Sequence, residues 1–327
     1  MISYLGIDVS KAWLDVLLLR HGLPAEKGQF DNSQEGFGRL HHFLKKRKVK
    51  MLHACLEATG SYGTEVALFL HEAGYVVSVV NPARIKAYAE SQLSRTKTDA
   101  GDAALIADFC RTQQPELWTP PPPEQRELQA LVRHLENLQD MRQQEANRRQ
   151  AGIPSETLLK TLDEHIAFLD QQSTDLLRLI RDHIERHPHL RQQHDLLTSI
   201  PGIGDLTAFK LLAEIVDVHA FDSARQLAAF AGLTPRERRS GSSVRGRSRL
   251  SKRGCPRLCN ALYFPAIVAQ RHNPILHTFA QRLLAAGKSK MQVVAAVMRK
   301  LLHLVFGILK SGQPFDPHFL DHQLPIS

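Results

Sequence analysis

Two sets of residues have the types and spacing to do chemistry. The first is acidic. Asp8 closes the apolar run ISYLGI and is followed by Val9-Ser10-Lys11, and Glu57 repeats the arrangement after LHACL. A carboxylate at the end of a buried strand is costly unless a cation or hydrogen bonds compensate it. Asp99 and Asp102 are three apart at the start of a helical stretch, so both point from one face. Four carboxylates from two strand ends and one helix suit one or two Mg²⁺ ions, with Mn²⁺ the alternative. Such ions would activate an attacking oxygen and stabilise a leaving one in phosphodiester chemistry. Taken singly each has a plainer role: Asp8 and Glu57 as loop caps, Asp99 as dipole compensation behind a Thr98 N-cap, worth ~0.5–1 kcal/mol.

The second set is basic. Residues 236–254 read RERRSGSSVRGRSRLSKRG, with eight Lys and Arg against one acid and almost no apolar residues, so the stretch cannot bury itself as core. Guanidinium and ammonium groups are the usual partners of phosphate oxygens. Arg236, Arg239, Arg245, Arg247, Arg249, Lys252 and Arg253 form the expected phosphate-binding set, and Ser240, Ser242, Ser243 and Ser248 lie among them as potential nucleophiles. A hydroxyl needs a base or metal to activate it. The plainer reading is a solvated basic loop. Lys11, close to Asp8, joins the nucleic-acid-binding set. So do Gly202 and Gly204 of LLTSIPGIGDLTAFKLLAEI, where a tight turn between helices exposes backbone N–H groups to a phosphate; a packing turn is the alternative there. A sugar-kinase phosphate loop at GIDVSK is disfavoured, because Ser10 stands where such a loop needs Gly.

These groups need a frame. Residues 2–19 read as a β-hairpin, with a further strand at 28–31, a helix at 36–45, strands at 51–56 and 75–80, and helices at 64–73, 83–89 and 98–110. That alternation makes an α/β sheet domain. Pro115 and the run at 120–123 break it. Apolar residues then recur at Leu128, Leu131, Leu135, Leu138 and Met141, and again at Leu158, Leu162, Ile166, Leu169, Leu176, Ile180 and Ile184. With a turn at 152–154 these stripes predict two antiparallel helices, either a coiled-coil arm or a plain bundle. Residues 258–269 and 292–309 read as supporting helices. Three domains are therefore expected, at 1–117, 118–195 and 196–327.

The totals agree. A formal charge of +9 and pI ≈ 9.5 point to an anionic polymer as partner. From 201 to the end, 18 Lys+Arg stand against 7 Asp+Glu, net +11; the first 200 residues carry 24 against 26, net −2. The four cysteines lack the spacing of a zinc site and read as reduced thiols of a cytoplasmic protein. No run of ~18 apolar residues stands out, so no membrane partner is expected.

Seven segments in order, GIDVSK, LEATGSYG, VNPARIKAYAES, TKTDAGDA, IPGIG, AFAGLTP and SGSSVRGRSRLSKRG, resemble the DEDD transposases of the insertion-sequence one-hundred-ten family, bridge-RNA-guided serine recombinases of bacteria. The resemblance spans nearly the whole chain, with 118–196 matched by character alone. It implies a RuvC-like, RNase H-type N-terminal domain whose acids are Asp8, Glu57, Asp99 and Asp102, and a mainly helical C-terminal domain whose serine nucleophile is Ser240. It implies donor and target DNA as substrates, a structured non-coding guide RNA, and a tetramer built as a dimer of dimers. The alternative is a RuvC-like, metal-dependent junction-resolving endonuclease in which water attacks.

Overall fold

The structure is a computed structural model of the chain. It describes all residues except 59–61, 93–98, 153–154, 237–238, 241–243, 246–248, 252–253 and 319–327; at 99–101, 236, 239–240, 244–245 and 249 it describes the backbone alone. The chain divides into two compact units, Met1–Pro120 and Pro121–Ser327. The proline run expected to break the pattern contains the division.

The first unit is a five-stranded sheet covered on both faces. The strands are β1 (Ser3–Val9), β2 (Trp13–Leu19), β3 (Glu26–Asp31), β4 (Leu52–Glu57) and β5 (Val76–Val80), in spatial order β3-β2-β1-β4-β5. β2 is antiparallel to both β1 and β3, while β4 runs parallel to β1 and to β5. That mixed order is the topology expected of an RNase H-type sheet. α1 (Gln34–Lys46) and α2 (Thr64–Glu72) pack on one face over a core of Leu5, Ile7, Leu14, Val16, Leu56, Phe37, Leu40 and Val66. α3 (Pro82–Ser91) and α4 (Asp99–Gln113) cover the other, around Cys55, Val80, Ile85, Ile106 and Phe109. The Pro82 that ends β5 also starts α3 at its first turn, behind Asn81, whose side chain accepts from Ala83 N at 2.8 Å. Cys55 and Cys110 are buried free thiols, and their mutual hydrogen bond and burial push Cys110 up, keeping it protonated.

The second unit opens with α5 (Pro123–Gln150) and α6 (Glu156–Arg186), a long antiparallel hairpin in which Arg142 reaches Asp170 at 3.0 Å and Arg149 pairs with Asp163. The expected apolar seam holds only in part. Leu128, Leu135, Leu138, Leu169, Leu176, Ile180 and Ile184 are buried and continuous with the core of the second unit. Met141 and Leu158 are 46% and 45% exposed. Near the turn Leu162 is still buried, but ion pairs and a buried Glu145 interrupt the seam, with Arg148 at 2.8 Å from the Glu145 carboxylate.

Among the described residues the unit has seven further α-helices: α7 (Pro188–Thr198), α8 (Asp205–Glu214), α9 (Ala224–Phe230), α10 (Pro256–Ala261), α11 (Tyr263–His272), α12 (Pro274–Ala285) and α13 (Lys290–Ser311). By length and composition α13 could cross a membrane, yet half of its most apolar 18-residue window is buried. Val293, Val297, Leu301, Leu302 and Val305 make it the central core helix of the unit.

Candidate active site

The backbone positions of the acidic residues are set by the register of the sheet and the direction of one helix. β1 and β4 run in parallel with Gly6 beside Cys55 and Ile7 beside Leu56, so one further step sets Asp8 beside Glu57. Across β1, Asp8 lies directly opposite Asp15 of β2, and directly opposite residues share a face. Gly6, two positions before Asp8, lies on the same face, which is the one α4 covers. A Cβ on Gly6 would stand 2.1 Å from the Ala103 carbonyl and 2.3 Å from Ala107 N. Only glycine permits this approach.

α4 runs opposite to β1. At its far end Gln114 Nε2 donates to Tyr4 Oη at 3.0 Å and Cys110 Sγ to the His53 carbonyl at 3.6 Å, while Ala103 and Ala107 meet Gly6. Four residues further back from Ala103, ~6 Å, is close to the two-residue strand step of ~6.6 Å from Gly6 to Asp8. The start of α4, with Asp99 and Asp102, is thereby carried to the strand ends that bear Asp8 and Glu57. α3 helps to hold the helix: Tyr88 Oη donates to Asp108 Oδ2 at 2.6 Å and its ring packs edge-on to Phe109. The bond to Asp108 raises the Tyr88 pKa and keeps the phenol protonated.

Asp8, Glu57 and Asp102 are half-buried, and Asp8 and Glu57 each engage a neighbouring group. The side chain of Asp99 lies outside the described residues, as does Thr98, its expected cap. Among the described residues no three His, Cys, Asp or Glu side chains close on one point. The donor chemistry nonetheless fits a hard divalent cation, since every candidate ligand is a carboxylate oxygen and Asp15 adds a further one beside Asp8.

Two residues at this edge escaped the sequence reading. Asp15 accepts from Gln29 Nε2 at 2.9 Å, the amide of its partner on β3. Its signal was present, a lone acid inside the strand WLDVLLL, but its place opposite Asp8 depends on hairpin register. Asn32 holds the loops: its Nδ2 donates to the Ser10 carbonyl at 2.9 Å and to the Tyr62 carbonyl at 3.1 Å. One amide thus ties the β1–β2 turn, with the exposed Lys11, to the loop that follows Glu57.

In the second unit the described residues of the basic stretch include two short strand pairs. β6 (Pro235–Arg236) pairs antiparallel with β9 (Arg249–Leu250), and β7 (Arg239–Ser240) with β8 (Val244–Arg245), placing Arg236 opposite Arg249, Arg239 opposite Arg245 and Ser240 opposite Val244. Ladders of two residues leave no apolar alternation to read. Ser242, Ser243, Arg247, Ser248, Lys252 and Arg253 lie outside the described residues. The base of the stretch is anchored: Ser251 N donates to the Thr234 carbonyl at 2.9 Å, and Arg299 Nη1 of α13 to the Leu233 carbonyl at 3.2 Å. Gly254, at φ +157, lies so close to the end of α9 that a Cβ would be 2.3 Å from the Phe230 carbonyl. Burial pushes the neighbouring Cys255 thiol up to about 11, helped by Glu214 at 3.3 Å.

The turn between α7 and α8 separates its glycines. Gly202, at φ +106, meets Ala269 of α11, where a Cβ would come within 2.7 Å of the Ala269 Cβ; it is a packing glycine. Gly204 precedes α8 as its N-cap, with open space where a Cβ would stand.

Comparison with known proteins finds relatives for both units. A family model described as Transposase IS116/IS110/IS902 family matches residues 194–281, and one described as Transposase, of the DEDD type of IS110 elements, matches 5–153. The chain is 34% identical over 321 residues to the pilin gene-inverting protein of Moraxella bovis, covering 96% of this chain and 98% of that one. It is 27% identical over 251 residues to the transposase for insertion sequence element IS1111A of Coxiella burnetii, covering 68% of this chain and 66% of that one. Thermus thermophilus RuvC in complex with a Holliday junction covers 36% of this chain at 15% identity, with a TM-score of 0.28, too slight a likeness to add to the strand order itself. Matched in both units, and along nearly its whole length by an inverting relative, the chain belongs to the IS110 family of transposases.

Proposed function

We propose that this transposase cuts and rejoins DNA strands through a covalent phosphoserine at Ser240, assisted by a divalent-metal site of Asp8, Glu57, Asp99 and Asp102. The observation that supports the reading is the packing of α4 on β1 at Gly6, which runs the backbone at the start of the helix back toward the ends of β1 and β4, where Asp8 and Glu57 stand. Mg²⁺ or Mn²⁺, when bound there, would supply Lewis-acid stabilisation of oxygen charge at phosphorus.

The chain's own residues account for the rest. In the first step the Ser240 hydroxyl oxygen forms a bond to phosphorus, one P–O ester bond breaks, the serine proton passes to a base, and the released strand leaves as a hydroxyl after taking up a proton. A strand hydroxyl then attacks the phosphoserine and returns the serine, so the number of phosphodiester bonds is conserved. Arg245, Arg247, Arg249 and Lys252 hold the phosphate and offset its pentavalent charge. Strand exchange of this kind serves movement and inversion equally, which suits a chain related to both transposases and a pilin gene-inverting protein. We assign choice of sequence to a structured guide RNA pairing with donor and target, leaving the protein to bind backbone. Assembly is as a dimer of dimers.

The test is a denaturing gel of the protein with its flanking element DNA and Mg²⁺, after co-purified RNA has been sequenced and restored. A covalent protein–DNA adduct formed by wild type and absent from Ser240→Ala supports the reading. Cleaved DNA without any adduct overturns it in favour of a metal-dependent nuclease using water.

A further inference from the structure

Exposed apolar side chains of the first unit are sorted by the two ends of the sheet. Ile2, Leu23, Met51 and Val76 lie at the end away from the carboxylates. The two exposed aromatics, Trp13 and Tyr62 at 47% and 49%, lie at the carboxylate end, on the β1–β2 turn and on the loop following β4. Trp13 occupies the same face of β2 as Asp15, two residues away, and Asp15 stands opposite Asp8. Its backbone is fixed at both polar groups: Trp13 N donates to Ser10 Oγ at 3.0 Å, and Ser10 N donates to the Trp13 carbonyl at 2.9 Å. Asn32 bridges that same Ser10 to Tyr62. The exposed Lys11 lies between Ser10 and Trp13.

From this placement we infer that Trp13 is a stacking platform for an unpaired nucleobase beside the phosphate held at the carboxylate edge, with Lys11 contacting the adjoining backbone. An indole on a rigid turn, next to a cation and within one nucleotide of the acids, combines the two features that single-stranded nucleic-acid sites use. A base in an intact duplex already stacks on both faces, so it has no face to offer Trp13; the bound strand must be unpaired or splayed at that point. The inference rests on the acidic edge being the DNA-cleaving site, and it adds the state of the substrate there.

The protein has two tryptophans, so Trp118→Phe leaves Trp13 as the sole indole emitter. The full-length variant, without metal, is titrated with a fluorescein-labelled single strand, its duplex, and a duplex carrying an unpaired bubble, with occupancy followed by anisotropy. Saturable quenching of Trp13 by the single strand and the bubble, absent with plain duplex at equal occupancy, is expected. Trp13→Ala should weaken the bubble complex about 5- to 150-fold more than the duplex complex, with Trp13→Phe restoring most of the loss. Unchanged emission at full occupancy overturns the assignment, and so does an emission change that follows protein concentration without DNA, which would mean a second copy covers the ring. Quenching lost while metal-dependent cleavage persists removes the stacking role alone. Quenching retained in a protein that cleaves no DNA with any divalent metal removes the reading of the edge and leaves the stacking site.

Discussion

Asn32 shows how one uncharged side chain can govern a site it does not form. Its amide nitrogen is shared between the Ser10 and Tyr62 carbonyls, at 2.9 and 3.1 Å, while its own backbone N–H is bound by the Ala12 carbonyl at 2.8 Å. The loops it joins carry the chain onward from Asp8 and from Glu57, so the separation of those carboxylates depends on both loops being held. Asn32→Ala removes the two side-chain bonds without emptying a core, because the residue is only half-buried. The expected result is a loss of strand-cleavage rate of ~10–100-fold, the scale seen when a residue that orients metal ligands is removed, with the urea midpoint nearly unchanged. If Asn32 served stability alone, the midpoint would fall and excess Mn²⁺ would not recover activity. If it orients ligands, raised Mn²⁺ should recover part of the lost rate.

At the scale of elements, the decisive contact is α4 against β1. Gly6 sits inside the motif GIDVSK, and a methyl group there would overlap the backbone of α4 at Ala103 and Ala107. Backbone cannot rotate away as a side chain can, so Gly6→Ala must displace the helix and with it Asp99 and Asp102. We expect ~1–3 kcal/mol of destabilisation from overpacking, with metal-dependent cleavage lost even at temperatures where the protein stays folded; a urea melt and a nicking assay on the same preparation read the two effects. Full activity in a stable Gly6→Ala protein would show that α4 does not set the acids in place. This contact also marks the limit of what the sequence can disclose. β1 and β4 were legible because each is a short apolar run with a carboxylate at its end. Helices α9 and α12, the two-residue ladders around Ser240, and the pairing of Asp15 with Asp8 were not. Short elements carry too few turns or alternations to show a period, and a cross-strand partner is fixed by register, which no single strand encodes.

The whole molecule separates charge from carboxylates. Residues 201–327 carry net +11 while the first 200 carry net −2, and the acidic edge belongs to the unit Met1–Pro120. Phosphate binding by cations releases counterions, so affinity for DNA should fall steeply with salt, and each lost phosphate contact should lower the slope of log K against log salt by about 1. Grip and chemistry should therefore be separable by substitution. Arg249→Ala is expected to weaken DNA binding and flatten the salt dependence by about one contact. Asp102→Asn should leave affinity, measured without metal, within about twofold of wild type, yet cut strand cleavage by at least ~10³-fold, a loss of several kcal/mol of transition-state stabilisation. Fluorescence anisotropy across a salt series, set beside cleavage on the same DNA, reads both quantities. Should Asp102→Asn lose affinity as Arg249→Ala does, with the same change in slope, the acidic edge would be part of the binding surface and the division of labour between the two units would fail.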